Sequence, residues 1–194
     1  MKLGAVILAA GAGVRLGGVA KALLRTTTGT TFLDQIVATA RRAGLETAVV
    51  VVASPFGAEV AAHARELGVR VVENPDPARG MASSIALGFT AMADTACDVA
   101  WLWPVDHPDV TPATLAALVG KLAGHDAARP TVNGRGGHPP LVARALWPRL
   151  AACADLPHGA RDVFATATVV DVPVADAGCV RDVDTATDLP EARA

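Results

Sequence analysis

Lysine is almost missing from this 194-residue chain: Lys2, Lys21 and Lys121 stand against fourteen arginines. Charge in general is thin, at 19% of residues, and the net charge of −2 comes without a basic block. That excludes nucleic-acid binding through a charged face, which needs clustered cations to displace phosphate counterions. Cysteine is scarce and odd in number. Cys97, Cys153 and Cys179 lie far apart with no Cys-x-x-Cys among them. Neither a zinc site nor a disulfide framework is indicated, and a reducing cytoplasm fits best. No apolar run approaches the ~18 residues of a membrane span. Lys2 followed by Leu3 to Ala10 has the outline of a signal peptide, but the run is short and leads straight into Arg15 and Lys21. With 52% hydrophobic residues, disorder is not an option either. The expectation is one domain, residues 1–194, burying roughly 70% of its unfolded surface, with no membrane or nucleic-acid partner.

What the chain does have is a loop that no helix or strand would want. After an apolar run, Leu3 to Leu8, come Ala9, Ala10 and then Gly11, Gly13, Gly17 and Gly18 within nine residues, accompanied by Arg15 and Lys21 and by no carboxylate. Glycine weakens either regular element and serves where a chain bends sharply or lets a ligand touch its backbone. Backbone N–H groups in a concave turn plus two cations make a cradle for an anion such as phosphate. An ordinary Gly-rich turn is the alternative. The phosphate loop ending Gly-Lys-Ser/Thr is absent, because Ala20 precedes Lys21 and Ala22 follows it. The dinucleotide fingerprint fails as well, since its third glycine does not open a helix directly, which disfavours a nicotinamide oxidoreductase.

Downstream, alternating elements predict a parallel sheet covered on both faces. Thr31 caps a helix through Ala43, with Asp34 placed as a capping-box acid and Gly44 as a stop. Thr47 to Ala53, with four consecutive valines, has no wet face and reads as a buried parallel strand. Ser54-Pro55 predicts the cap and first residue of a second helix, and Val69 to Val72 a third strand. Arg79-Gly80-Met81-Ala82-Ser83-Ser84 leads into a helix; the two serines suit caps or contacts to an anion or base edge, and the local physics favours caps. Val99 to Trp103 is the next strand, with Trp101 and Trp103 as core rather than a stacking platform for a ligand. Beyond its end, Pro104 and Pro108 bracket Asp106. Ligands of open α/β sheets sit outside the carboxyl ends of strands, and Mg²⁺ takes one or two carboxylates plus substrate phosphates. Asp106 thus suits a metal ligand, or a solvated turn. Thr111-Pro112 starts another helix, residues 131–142 suggest a hairpin-like departure around a glycine-rich turn, and Thr185 caps a terminal helix. His63, His125 and His158 read as surface or loop residues, and His107 as a turn residue more than a tuner of the metal site. Right-handed βαβ units then give a three-layer, Rossmann-like α/β fold, mostly parallel with a small antiparallel extension.

The pattern Leu8-Ala9-Ala10-Gly11-x-Gly13-x-Arg15-Leu16-Gly17, followed by Lys21, resembles the signature loop of nucleotidyltransferases. With Gly80 to Ser84, Asp106, Gly134-Arg135-Gly136-Gly137-His138-Pro139 and Asp184-Thr185 in the same order, the chain is similar to molybdenum cofactor cytidylyltransferases and their guanylyltransferase relatives. Leu8-Ala9-Ala10-Gly11 resembles the cytidylyl branch. The departures are Ala20 where members have proline, Val105 and His107 around the aspartate, and an abbreviated turn at Gly159-Ala160-Arg161. The resemblance implies the nucleotidyltransferase fold and transfer of a nucleoside monophosphate from a triphosphate, CTP by preference, to the phosphate of a molybdopterin. It implies nucleotide contacts from Leu8, Ala9, Ala10, Gly11, Gly13, Arg15, Lys21, Ser83 and Ser84. Arg15, Lys21 and Asp106 would be catalytic, Arg135, Gly137 and His138 would face the acceptor, and Asp106 and Asp184 would hold Mg²⁺. A molybdenum hydroxylase or its chaperone would receive the product. The rivals are GTP as donor, a sugar-phosphate acceptor, and a non-catalytic nucleotide-binding accessory protein.

Overall fold

The structure, a computed structural model, describes residues 1–13, 17–184 and 188. Arg15 and Thr185 lie outside these residues, and with them the predicted loop cation and terminal cap. One eight-stranded sheet runs through the molecule. Its parallel half contains β1 (Leu3–Leu8), β2 (Leu45–Val52), β3 (Arg70–Glu73) and β4 (Val99–Pro104), in spatial order β3-β2-β1-β4. Beyond β4 antiparallel pairs enter the sheet. β7 (Leu141–Ala143) runs antiparallel to β4 and to β5 (Ala127–Val132), so β5 regains the direction of β4 and pairs in parallel with β8 (Val169–Pro173). The two-residue β6 (Arg135–Gly136) closes a hairpin with β5 across Asn133 and Gly134. Both turn residues have positive φ, 51° and 79°, as the tightest hairpin turns require.

Among the described residues, six α-helices cover the two faces. On one lie α1 (Phe32–Arg42), α2 (Gly57–Glu66) and α4 (Pro112–Lys121); on the other α3 (Met81–Ala93), α5 (Trp147–Ala151) and α6 (Ala160–Ala165). Strand alternation feeds the two cores. Ala5 and Ile7 of β1 and Trp101 and Trp103 of β4 pack with Ile36, Val60 and Leu118, whereas Val6, Ala100 and Leu102 pack with Phe89, Trp147 and Val163. Both tryptophans are fully buried, as expected of core residues. Helix α3 sits hard on the sheet: a Cβ added at Gly88 would lie 2.3 Å from Val6 Cγ1.

The capping box of α1 is as predicted, with Thr31 accepting from the Asp34 amide and Asp34 from that of Thr31. His63, expected at the surface, instead lies on α2 with its Nε2 2.8 Å from Asp34 Oδ1 and 3.1 Å from Thr31 Oγ1, tying α2 to that cap. Ser54-Pro55 does not start α2. It is a cis peptide in a turn, Ser54 is exposed, and the helix begins at Gly57 after Phe56. The chain needs those turn residues to leave β2 before a helix can fold back along it. Nor do Ser83 and Ser84 cap α3, whose cap position is Gly80. β5 starts four residues before the extended piece read at Thr131, because Ala127 and Ala128 are packed at the sheet centre, where size and not β-propensity decides.

Candidate active site at the carboxyl ends of the strands

Because β1 to β4 are parallel, their carboxyl ends meet along one edge, and each hands the chain to a loop there. Around these loops lies a cavity of about 560 Å³. The glycine loop forms one wall through Ala10, Gly11 and Ala12, the start of α3 another through Gly80, Met81 and Ser84, and Lys21 and Asp106 stand on the side below β4. Leu8, the last residue of β1, contributes to the base. Ala9 does not: its N–H donates to Val51 O at 2.8 Å and its side chain belongs to the core. Gly13 does not line the cavity either. It closes the loop, with φ +57° and its carbonyl accepting from the Gly18 amide at 3.0 Å; a Cβ there would be 2.1 Å from Val19 O.

Lys21 opens a short 3-10 turn that turns its side chain inward, 14% exposed. Its ammonium forms an ion pair with Asp184 and lies 3.6 Å from Asp106 Oδ2. A lysine near the start of the chain and an aspartate 163 positions later thus meet, with Asp106 beside the same ammonium. The backbone holds Asp106 on both sides, with Val105 N donating to Leu8 O at 3.1 Å and Val183 N donating to Asp106 O at 2.9 Å. His107 is a buried turn residue, yet it also abuts the aspartate. Its carbonyl accepts from Trp103 Nε1 at 2.9 Å and its Nδ1 lies 3.3 Å from Gly178 O, leaving Nε2 3.9 Å from Asp106 Oδ1.

Of the two serines, only Ser84 lines the cavity. Ser83 turns away and donates to Gly80 O at 2.7 Å. Sequence reasoning missed what holds them. Asn74, 2% exposed and just beyond β3, donates its amide hydrogens to Ser83 Oγ at 2.8 Å and Ser84 Oγ at 2.9 Å. A polar residue directly after a strand, between Glu73 and Pro75, is the signal that could have found it.

The residues expected to face an acceptor separate. Gly137 and His138 line a second cavity of about 710 Å³, beside Arg129 and Arg161, whereas Arg135 is exposed on β6 and lines neither cavity. The two regions join through histidines, for the His138 ring lies 5.0 Å from that of His107, centroid to centroid. Burial first, then the neighbouring His107, pushes the His138 pKa down to about 4, so the ring is neutral near pH 7. Its buried Nδ1 has no hydrogen-bond partner among the described residues.

Asp106 Oδ1 is also buried and without a hydrogen-bond partner among the described residues. An all-oxygen donor set of two carboxylates beside a cavity fits a hard cation that completes its shell with substrate phosphates and water. Among the described residues no group of three or more His, Cys, Asp or Glu could hold a metal by itself, so the protein alone offers no closed cage.

Residues 5–173 match the model of the MobA-like NTP transferase domain. The chain belongs to that family. Among similar solved structures, the homologue of Mycobacterium tuberculosis Rv0371c from Mycobacterium sp. strain JC1 is 27% identical, with a TM-score of 0.74 over 97% of this chain and 94% of that one. Rv0371c of M. tuberculosis H37Rv itself is 26% identical, with a TM-score of 0.75 over 97% and 95% of the two chains. A curated relative from Rubrobacter xylanophilus, the bifunctional IPC transferase and DIPP synthase, is 51% identical over 87 residues, 43% of this chain. That match spans only 20% of the relative's length. The three-layer α/β fold is shared with these solved neighbours, and the matched family is one of NTP transferase domains.

Proposed function

We propose that this nucleotidyltransferase moves CMP from CTP to the phosphate of a molybdopterin-type acceptor and releases pyrophosphate. The observation that carries the reading is the convergence of Lys21, Asp106 and Asp184 beside the glycine-loop cavity. An acceptor phosphate oxygen attacks the α-phosphorus in line with the departing pyrophosphate. That oxygen is already ionised near neutral pH, its second pKa being ~6, so no general base is required. The residues' task is alignment and charge. The backbone at Gly11 and Ala12 cradles phosphate oxygens, Arg15 meets the leaving pyrophosphate, and Lys21 places a compact charge on the α-phosphate. Ser84 contacts the nucleotide, and Gly137 and His138 the acceptor. Asp106 and Asp184 would hold Mg²⁺, which when bound neutralises triphosphate charge.

The cytidylyl and pterin assignments rest on Leu8-Ala9-Ala10-Gly11 and on the resemblance of Gly80 to Ser84. The product would pass to a molybdenum hydroxylase or its chaperone. A second reading keeps the chemistry with a sugar phosphate as acceptor; what favours an acceptor other than a pterin is that the relative 51% identical over 87 residues is named as an IPC transferase and not as a molybdenum cofactor enzyme. Pyrophosphate release, measured with each of CTP, GTP, ATP and UTP against molybdopterin and against sugar phosphates, tests both. Release with CTP and molybdopterin is expected. Release with a sugar phosphate alone moves the assignment to the second reading. Tight nucleotide binding without release under any acceptor would make the protein a non-catalytic carrier and overturn both.

A further inference from the structure

Hydrogen-bond direction around Asn74 can be worked out atom by atom. The Asp76 amide can only donate, and it lies 3.0 Å from the Asn74 side-chain oxygen, which fixes the amide orientation. The Nδ2 hydrogens therefore point at Ser83 Oγ and Ser84 Oγ, and both serine oxygens act as acceptors there. Ser83 passes its own proton to the Gly80 carbonyl. Ser84 does not: its hydroxyl, 4% exposed, has no acceptor for its proton among the described residues, and it lines the cavity. A hydroxyl that already accepts from an amide on one side is left to donate on the other.

We infer that Asn74 is a positioning residue that sets Ser84 as a hydrogen-bond donor toward the nucleotide, selecting an acceptor atom on the ligand, a carbonyl or ring nitrogen of the base or a phosphate oxygen. The inference rests on the proposed nucleotide-binding role of this cavity. Asn74 touches no ligand itself. It acts through Ser84, and it also braces the backbone: its side-chain amide ties the end of β3 to the first turn of α3, and its own N–H donates to Val52 O at the end of β2, at 2.7 Å.

A double-mutant cycle on CTP affinity separates these two effects. Calorimetric titration of the full chain with CTP and Mg²⁺ gives Kd for the wild type, Ser84→Ala, Asn74→Ala and the double variant, with melting temperatures in parallel. Each single change is expected to weaken CTP about tenfold, the upper range for one neutral hydrogen bond. The double variant is expected to bind no more weakly than Ser84→Ala alone. Should Asn74→Ala fail to fold, Asn74→Asp serves in the same cycle. It keeps an acceptor facing Asp76, and its added charge acts with or without Ser84, so only the part of its effect lost in the Ser84→Ala background counts. Independent, multiplicative losses would overturn the inference by reducing Asn74 to a loop brace. Wild-type affinity in Asn74→Ala would overturn it too, leaving the nucleotidyltransferase reading intact. If the wild type binds none of CTP, GTP, ATP or UTP, that reading falls and takes the inference with it.

Discussion

Replacing Lys21 by Met removes the one ammonium that Asp106 and Asp184 are shown to share, while keeping most of the side-chain volume. Two consequences follow, and they differ in size. For the fold, Asp106 and Asp184, each about a quarter exposed, would lose the ammonium that both approach. A unit pair near 4 Å is worth about 4 kcal/mol at an effective dielectric of 20. Solvent at the cavity mouth and relaxation of the carboxylates reduce that, leaving about 1–2 kcal/mol of destabilisation. For turnover, the loss is of a charge that acts as negative charge builds at the α-phosphate, where a single preorganised donor is worth ~10²–10³ in kcat. The assay is pyrophosphate release at saturating CTP and acceptor, with thermal unfolding measured on the same preparations. Lys21→Met is expected to lose ~10²-fold or more in kcat while remaining folded. Added Mg²⁺ is expected to raise its melting temperature more than that of the wild type, because a cation then stands where the ammonium was. Turnover within threefold of the wild type would refute the assignment. Loss of activity with no change in the response to Mg²⁺ would refute the shared-cation argument.

Three further outcomes follow from the packing. Gly13→Ala places a methyl group 2.1 Å from a backbone oxygen at positive φ, so it is expected to cost about 1–3 kcal/mol and to weaken CTP binding strongly; unchanged melting and affinity would contradict the loop geometry. Gly88→Ala drives a Cβ against Val6 on the core side of α3, at a position that does not line the cavity, and is expected to lower stability by about 1–3 kcal/mol while leaving Kd for CTP unchanged in the folded fraction. Asp176 has a depressed pKa: burial pushes it up, but hydrogen bonds from the Thr114 hydroxyl, the Thr111 amide and hydroxyl, and the Gly178 amide together outweigh that. A depressed carboxyl stabilises the fold above its ordinary pKa of ~3.9, and the contribution is lost as pH falls through the lower folded value. Asp176→Asn is therefore expected to be about 1–3 kcal/mol less stable than the wild type at pH 7, with the gap closing below pH ~4; a constant gap across urea melts from pH 7 to 3 would contradict this.

Local chemistry was legible in the sequence wherever one residue and its near neighbours decide the outcome. Thr31 with Asp34, Thr111 with Pro112, and the apolar run into the glycine loop each specify an element without help from afar. Asp106 could be placed at a strand end from two prolines and a tryptophan-rich strand. The misreadings came where distant segments compete for the same groups. Ser83 and Ser84 look like caps until Asn74, nine and ten residues earlier, takes their oxygens. Ser54-Pro55 has the chemistry of a helix start, but the exit from β2 uses it as a turn. Ala9 reads as part of the anion cradle, yet the neighbouring strand claims its amide. His138 and Arg135 are three residues apart in sequence, but a hairpin puts one toward a cavity and the other in solvent.

The reversed strand β7 works as a seam. On its β4 side lie the glycine loop, Lys21 and Asp106; on its β5 side lie the hairpin and the arginine-lined hollow that adjoins α6. A graft that swaps the hairpin and α6 for those of another chain would leave the register of β1 to β4, and with it the triphosphate end of the reaction, where it was. On the proposed assignment, acceptor choice would then drift while the leaving-group chemistry stays put.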